Sequence, residues 1–230
     1  MSTFLYIDTA GETATIAISK HQQLLAVEQN VVSNTHASFV QLAIKKLLQD
    51  LNLSMQEIDA IVVTMGPGSY TGLRVGLSSA KGIAYAIQKP LIGLSTLELL
   101  SELAFTHDIV MKQPETVQIF SMIDAKRMEV FGAIYKADKS LLIDPQSIIL
   151  DETYLINLLK NGPLLCIGNG ATKAKDITKH PDLYFSEKSY GLYELIKLAN
   201  TKWENNDFED IAYSKPAYLK DFYQAPPKIS

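Results

Sequence analysis

The sequence predicts an α/β protein of two lobes, each built from a β-β-β-α-β-α unit. Three observations predict it. Apolar, β-branched runs bounded by turn residues come in sets of three. After each set, apolar residues fall at helical spacing, and a further apolar run and a further helix follow. The whole order occurs twice in 230 residues, joined near His107–Pro114, although the residues themselves show no repeat.

The elements follow in order. Phe4–Asp8 is an extended run, Ala10-Gly11-Glu12 a turn, Thr13–Ser19 an alternating strand and Leu24–Val32 a third strand. Val40, Ile44, Leu47, Leu48 and Leu51 define a helix over 36–51, stopped by Asn52. Ser54 with Glu57 forms a capping box for a short turn. Ala60–Met65 is a strand, and a helix runs from Thr71 to Gln88. Pro90–Leu94 is a short extended piece, and Ser95 with Glu98 caps a helix through Phe105. In the second half Val117–Asp124 and Met128–Tyr135 make a hairpin around Ala125-Lys126-Arg127. A third strand lies within Ser140–Leu150, where Pro145 suits an edge. Asp151 caps a helix ended by Asn161-Gly162-Pro163, Leu164–Ile167 is a strand, and Leu192–Trp203 is the last helix.

This order is that of a ribonuclease-H-like unit, and its tandem copy is the actin-like, sugar-kinase-like (ASKHA) architecture. The expected lobes are residues 1–106 and 107–230, with the tail returning to the first lobe and a cleft between the two. That step is analogy at the level of fold.

Composition narrows the function. A net charge of −4 disfavours a broad nucleic-acid face. The single Cys166, within Leu164–Ile167, forbids an internal disulfide and suits a reducing cytoplasm. Charges interrupt the apolar runs before they reach the length of a membrane span. The histidines His21, His36, His107 and His180 have no helical pairing, so a metal site is not expected.

Gly66-Pro67-Gly68-Ser69-Tyr70-Thr71-Gly72-Leu73-Arg74 links a strand to a helix, where proteins often hold phosphate. It fits neither the Walker A nor the dinucleotide spacing. At about 100° per residue, Leu73, Leu77, Ala80, Ala84 and Ile87 form a stripe for the sheet. Nearly opposite lie Val75, Ser79, Gly82 and Ala86, with Gly76 and Ile83 alongside. A second non-polar side made of small residues asks for close packing, since each glycine costs about 1 kcal/mol against alanine. The neighbour is helix 36–51, or another protein, or both. Asp8 and Asp124 end corresponding strands and would flank the cleft, where an acid can hold Mg²⁺ through water; an aspartate there also simply makes a turn. Gly168 and Gly170 either pass a nucleotide closely or form a tight turn. Lys215, Lys220 and Lys228 interleave with Tyr213, Tyr218, Phe222 and Tyr223, a basic-aromatic tail that touches nucleic acid or docks on the body.

Taken together, Ile7–Ala10, His36–Ser38, Gly66–Leu77, Ala80–Ala84, Ile123–Arg127 and Pro216–Lys220 resemble the TsaB (YeaZ) family over nearly the whole chain. The family motif maps onto Gly66, Pro67, Gly68, Ser69, Thr71, Gly72, Arg74, Lys81 and Arg127. Lys220 stands where many members carry arginine. The resemblance implies the duplicated actin-like fold and a non-catalytic partner of the TsaD transferase. That enzyme makes N6-threonylcarbamoyladenosine beside the anticodon of tRNAs reading codons that start with A. It implies a TsaE-like ATPase as a further partner, a homodimer when alone, and tRNA contact mainly through the complex. Cofactors are then none intrinsic, with ATP and metal belonging to the partner subunits. The paralogue carries a paired-histidine metal motif where this chain has Thr96 and Leu100. The resemblance also implies that the family's partner-binding helices, the first two long ones, correspond to 36–51 and 71–88, which would put His36, Val40, Val75, Gly76, Ser79, Gly82, Ile83 and Ala86 at the interface. The competing reading is a stand-alone ATP-dependent small-molecule kinase of the same fold.

Overall fold

Phe4, Leu5, Tyr6 and Ile7 point alternately to opposite sides, and all four are buried. A strand apolar on both faces belongs in the middle of a sheet covered on both sides. In the computed structural model, which describes residues 2–31 and 36–220, that strand is β1 (Thr3–Asp8). It pairs antiparallel with β2 (Ala14–Lys20), which pairs with β3 (Gln23–Asn30). On its other side β1 runs parallel to β4 (Ala60–Gly66), followed by β5 (Leu91–Ser95). The second sheet repeats this wiring with β6 (Gln118–Asp124), β7 (Glu129–Lys136), β8 (Leu141–Ile149), β9 (Leu164–Ile167) and β10 (Leu183–Ser186). The strand orders are β3-β2-β1-β4-β5 and β8-β7-β6-β9-β10, the same arrangement twice. The α/β, duplicated architecture expected from the sequence is therefore present. β8 is an edge strand, and its pairing with β7 shifts register twice, as suits a strand containing Pro145.

Seven α-helices are seen among the described residues. They are α1 (His36–Asp50), α2 (Tyr70–Ile87), α3 (Thr96–Ala104), α4 (Asp108–Lys112), α5 (Glu152–Leu159), α6 (Ala171–Ile177) and α7 (Leu192–Glu204). Their starts follow local chemistry. The Ser69 hydroxyl accepts from Gly72 N, the Ser95 hydroxyl from Glu98 N and the Asp151 carboxylate from Tyr154 N. Ser54 and Glu57 close the expected capping box on a short 3₁₀ turn.

The second half adds α6 and β10 to the elements expected from the sequence, and the short α4 occupies the join between the halves. The helix after its fourth strand is α6, not the segment at 192–203. Elements as short as α6 and β10 offer less than two helical turns or a few alternations, too little for periodicity to register.

Periodicity also sorts the core. Leu5, Ile7, Ile16, Ile61 and Val63 face α1 and α2. Phe4, Tyr6, Val62 and Leu94 face Leu195, Leu198 and Ala199 of α7. On the second sheet, Phe120, Met122 and Ile134 meet α5 and α6. Ile119, Ala133, Tyr135 and Leu165 receive Leu97, Leu100 and Ala104 of α3. The final helices of the two halves are thus exchanged: α3 covers the second sheet and α7 the first, and they pack on each other. Glu102 of α3 is buried at that junction, 5% exposed, between Lys139, which follows β7, and Lys197 of α7 at 2.7 Å. Burial pushes the Glu102 carboxyl upward, but the two ammonium groups outweigh it and hold it below the usual carboxylate range. No helix among the described residues is long and apolar enough to cross a membrane.

A carboxyl with a depressed folded-state value stabilises the fold above its ordinary value and loses that contribution as pH falls through the folded one. Denaturant titrations of Glu102→Gln should therefore show lower stability than the parent at neutral pH. The difference should shrink on acidification below the ordinary glutamate value of 4.5. A pH-independent difference would mean that Glu102 acts through packing and not through its charge.

Candidate functional site

The glycine loop packs against its own first strand. Ser69 N donates to Ala10 O at 2.7 Å, and Thr9 Oγ1 donates to Gly72 O at 2.7 Å. A Cβ on Gly68 would lie 2.4 Å from Ala10 O, and one on Gly72 2.0 Å from Thr9 O. Gly66 has φ +98°, and Pro67 O accepts from the buried Thr96 hydroxyl at 2.6 Å. The glycines thus let the start of α2 touch the backbone at the end of β1. The loop's Ser69 amide is spent on that contact and is not free for a phosphate.

The α2 face differs in part from expectation. Leu73, Leu77, Ala80 and Ala84 are buried on the sheet as the spacing predicts. Gly76 is also buried there, since a Cβ would meet Thr9 Oγ1 at 2.3 Å. It belongs to the inner stripe and offers no surface to a partner. Val40 is likewise fully buried in the first-lobe core. Helical spacing put Gly76 beside the outer face because it cannot say how much of a helix its own sheet covers, whereas Val40 was carried to the interface by the resemblance alone, against its place in the apolar stripe of α1. Val75, Ser79 and Ile83 are half-buried, and α1 lies alongside, with Gln41 Nε2 donating to Ser79 Oγ at 3.4 Å. Gly82 and Ala86 are exposed, and none of the described residues stands within 4 Å of a Cβ on Gly82. Leu42 of α1 is also exposed, at 67%. The side chain of His36 lies outside the described residues.

The other flank of α2 holds the C-terminal segment. Lys81 Nζ donates to Ala212 O and Ser214 O, both at 3.1 Å. Ala217 N donates to Met65 O, and the Tyr218 ring lies 5.4 Å from that of Tyr70, over which Arg74 stacks. Leu219 packs into the cluster shared by α3 and the second sheet, and Lys220 pairs with Glu129 of β7. The motif residues Arg74 and Lys81 therefore serve a strap that joins the lobes. Thr71 is exposed, and Arg127 sits at the exposed β6–β7 hairpin tip with φ +50°. Phe222, Tyr223 and Lys228 lie outside the described residues.

Between the lobes is a cleft of about 590 Å³. Asp8 lines it and is 93% buried (relative exposure 7%). Its Oδ1 accepts from Thr64 Oγ1 at 2.8 Å, Ala10 N at 3.1 Å and, more weakly, Tyr190 Oη at 3.5 Å. Burial raises the Asp8 carboxyl above its ordinary value despite these donors. Asp124 differs. It is exposed, lies outside the cleft lining and pairs with Lys173 at 2.8 Å, while Lys173 also donates to Glu129 O. Burial works against that carboxyl, but Lys173 holds it below its ordinary value. Asp124 is thus a hairpin anchor, and the symmetric pair of cleft acids expected from the sequence is not formed. Gly168 and Gly170 pack on the end of β6, where a Cβ would lie 2.3 Å from Met122 O and 3.0 Å from Met122 Cβ. They are close-approach positions, and neither lines the cleft.

Thr9, Thr64 and Tyr190 were not singled out from the sequence. Tyr190 lies 182 residues from Asp8, and no local pattern marks it. Cys166 is buried, its thiol pushed up by burial. Among the described residues no group of three His, Cys, Asp or Glu side chains is arranged to hold a metal. Thr96 and Leu100 are buried, the latter in the core between the lobes.

A family model described as TsaD, tRNA N6-adenosine threonylcarbamoyltransferase, matches residues 12–225. The chain is 30% identical over 232 residues to the tRNA threonylcarbamoyladenosine biosynthesis protein TsaB of Haemophilus influenzae, covering 95% of this chain and 94% of that one. It superposes with TM-score 0.78 on a Pseudomonas aeruginosa protein described as similar to peptidase YeaZ. That match has 22% identity and covers 96% of this chain and 100% of the other. An Arthrobacter inorganic polyphosphate/ATP-glucomannokinase shares the fold, with TM-score 0.53 and 9% identity over 88% of this chain and 100% of that one.

Two substitution experiments check this geometry. Gly72→Ala should cost about 3 kcal/mol, because Thr9 backbone blocks its Cβ, whereas Gly82→Ala should gain about 0.5–1 kcal/mol by stiffening an open helix position. Urea unfolding of the two variants measures both signs. Separately, Asp8→Asn should raise the melting temperature at neutral pH. An acid whose folded-state value is raised contributes most below its ordinary value and loses stability as pH rises through the folded one. The gain should fade in acid, where the parent's Asp8 is already protonated.

Proposed function

Because the chain belongs to the TsaB (YeaZ) family, we propose that it serves tRNA modification as a non-catalytic subunit supporting a TsaD-like transferase. A role in threonylcarbamoyladenosine biosynthesis on tRNA comes with the family. The observation that carries the finer reading is the outer face of α1 and α2. Gly82 sits inside a helix with open space around it, at a cost of about 1 kcal/mol against alanine. Nothing among the described residues uses the missing side chain, whereas Gly68 and Gly72 each meet a close neighbour. A second helix pair lying against Gly82, Ala86 and Leu42 would use it, at the short end of the usual 8–10 Å helix spacing.

The modified adenosine is then the one beside the anticodon in tRNAs reading codons that start with A. The same face makes a homodimer when no paralogue is present. A TsaE-like ATPase joins the assembly, and ATP and metal belong to these partners. A net charge of −4 favours tRNA contact through the complex. The single buried cysteine agrees with work in the cytoplasm.

Size-exclusion and binding titrations with the TsaD-like paralogue test this reading. Gly82→Leu should fold with an unchanged circular dichroism spectrum and bind at least about tenfold more weakly, or about 1.4 kcal/mol. Its homodimer should weaken in parallel. Normal folding with normal binding would remove the α2 face from the interface. Phosphotransfer from Mg-ATP by the isolated chain would replace the whole reading with a kinase.

A further inference from the structure

The cleft has an unusual charge pattern. Of the described residues that line it, two are acidic, Asp8 and Glu12, and none is lysine, arginine or histidine. Lys173, outside this lining, is held by Asp124 and Glu129 O. At the floor, all three hydrogen bonds to Asp8 reach Oδ1. Among the described residues Oδ2 receives none, and no ion pair reaches this carboxylate. A carboxylate so buried and without a cation is costly to ionise, and an opposite charge brought beside it offsets that cost. Around it stand hydroxyl and amide groups, among them Thr13, Thr15, Gln29 and Ser189, with Leu100 and Leu195 supplying apolar wall. A volume of about 590 Å³ admits a six-membered ring.

We propose that the cleft is a binding site for a small hydroxylated organic ammonium ion, its cationic nitrogen paired with Asp8 Oδ2 and its hydroxyls with the threonine and glutamine groups. A phosphate-bearing nucleotide is the wrong chemistry here. The described lining offers it no cation, and the glycine loop has turned its Ser69 amide onto Ala10. This inference stands apart from the partner reading, because Asp8 and Gly11 do not lie on the outer face of α1 and α2.

Glucosamine is the probe, glucose the uncharged control, and Mg-ATP the anionic one, each followed by thermal shift and calorimetry on the full chain. Glucosamine at millimolar concentration should raise the melting temperature and titrate to one site, while glucose and Mg-ATP leave it unmoved. Asp8→Asn should lower glucosamine affinity at least about tenfold, the expected loss when one member of a buried charge pair is neutralised. Gly11→Phe provides a second variant. A Cβ there meets none of the described residues within 4 Å, so the ring can fill the cleft mouth while the fold stays intact. It too should abolish the glucosamine response. Glucose matching glucosamine, no glucosamine response in the parent, unchanged affinity in either folded variant, or preferential stabilisation by Mg-ATP would each overturn the proposal.

Discussion

The contact between the start of α2 and the end of β1 sets the geometry of everything around it. Thr9 and Ala10 meet Gly68 and Gly72 backbone to backbone, at distances that leave no room for a Cβ. Two hydrogen bonds, Ser69 N to Ala10 O and Thr9 Oγ1 to Gly72 O, hold the approach. Because the helix is seated this low, Gly76 also reaches Thr9, and the next turns lay Leu77, Ala80 and Ala84 on the sheet. The seat also places Asp8 at the cleft floor and aims the outer side of α2 away from the lobe. A glycine-rich turn at this place in an α/β fold is easily read as a phosphate cradle. Here the same residues answer a packing need.

The second constraint is the exchange of final helices. With α3 on the second sheet and α7 on the first, neither lobe completes its core alone. The cleft walls come from both halves as a result, and Tyr190, in the segment leading into α7, reaches Asp8. The strap from Glu209 to Lys220 adds a second tie. It runs from the β5 edge along α2 to β7, held by the Lys81 ammonium and ended by the Lys220–Glu129 pair. The face of α2 proposed to meet a partner is therefore flanked by α1 on one side and by a segment anchored to both lobes on the other. Such support limits the reorganisation that binding would otherwise cost.

Legibility followed the range of the interaction. Element order, the capping residues Ser54, Ser95 and Asp151, and the sheet-facing stripe of α2 are local, and the sequence shows them. α6 and β10 are too short to carry a period. The fates of the two aspartates were not legible either. Asp8 and Asp124 end equivalent strands, yet one is buried without a cation and the other is exposed beside Lys173. That difference depends on residues 49 and 182 positions away in the chain.

The sequence by itself determined the two-sheet duplicated order, the family and the presence of a small-residue helix after a glycine turn. These depend on periodicity and on motif chemistry, which nearest neighbours along the chain carry. Tertiary structure alone decided which glycines serve the fold and which is left open, since Gly72 and Gly82 are the same residue in the same helix. It alone decided that the cleft holds a lone buried acid and that Lys81 ties down the chain's own C-terminal segment. Those outcomes are set by which surfaces meet after distant segments pack, and burial is a property of the packed chain, not of any residue in it.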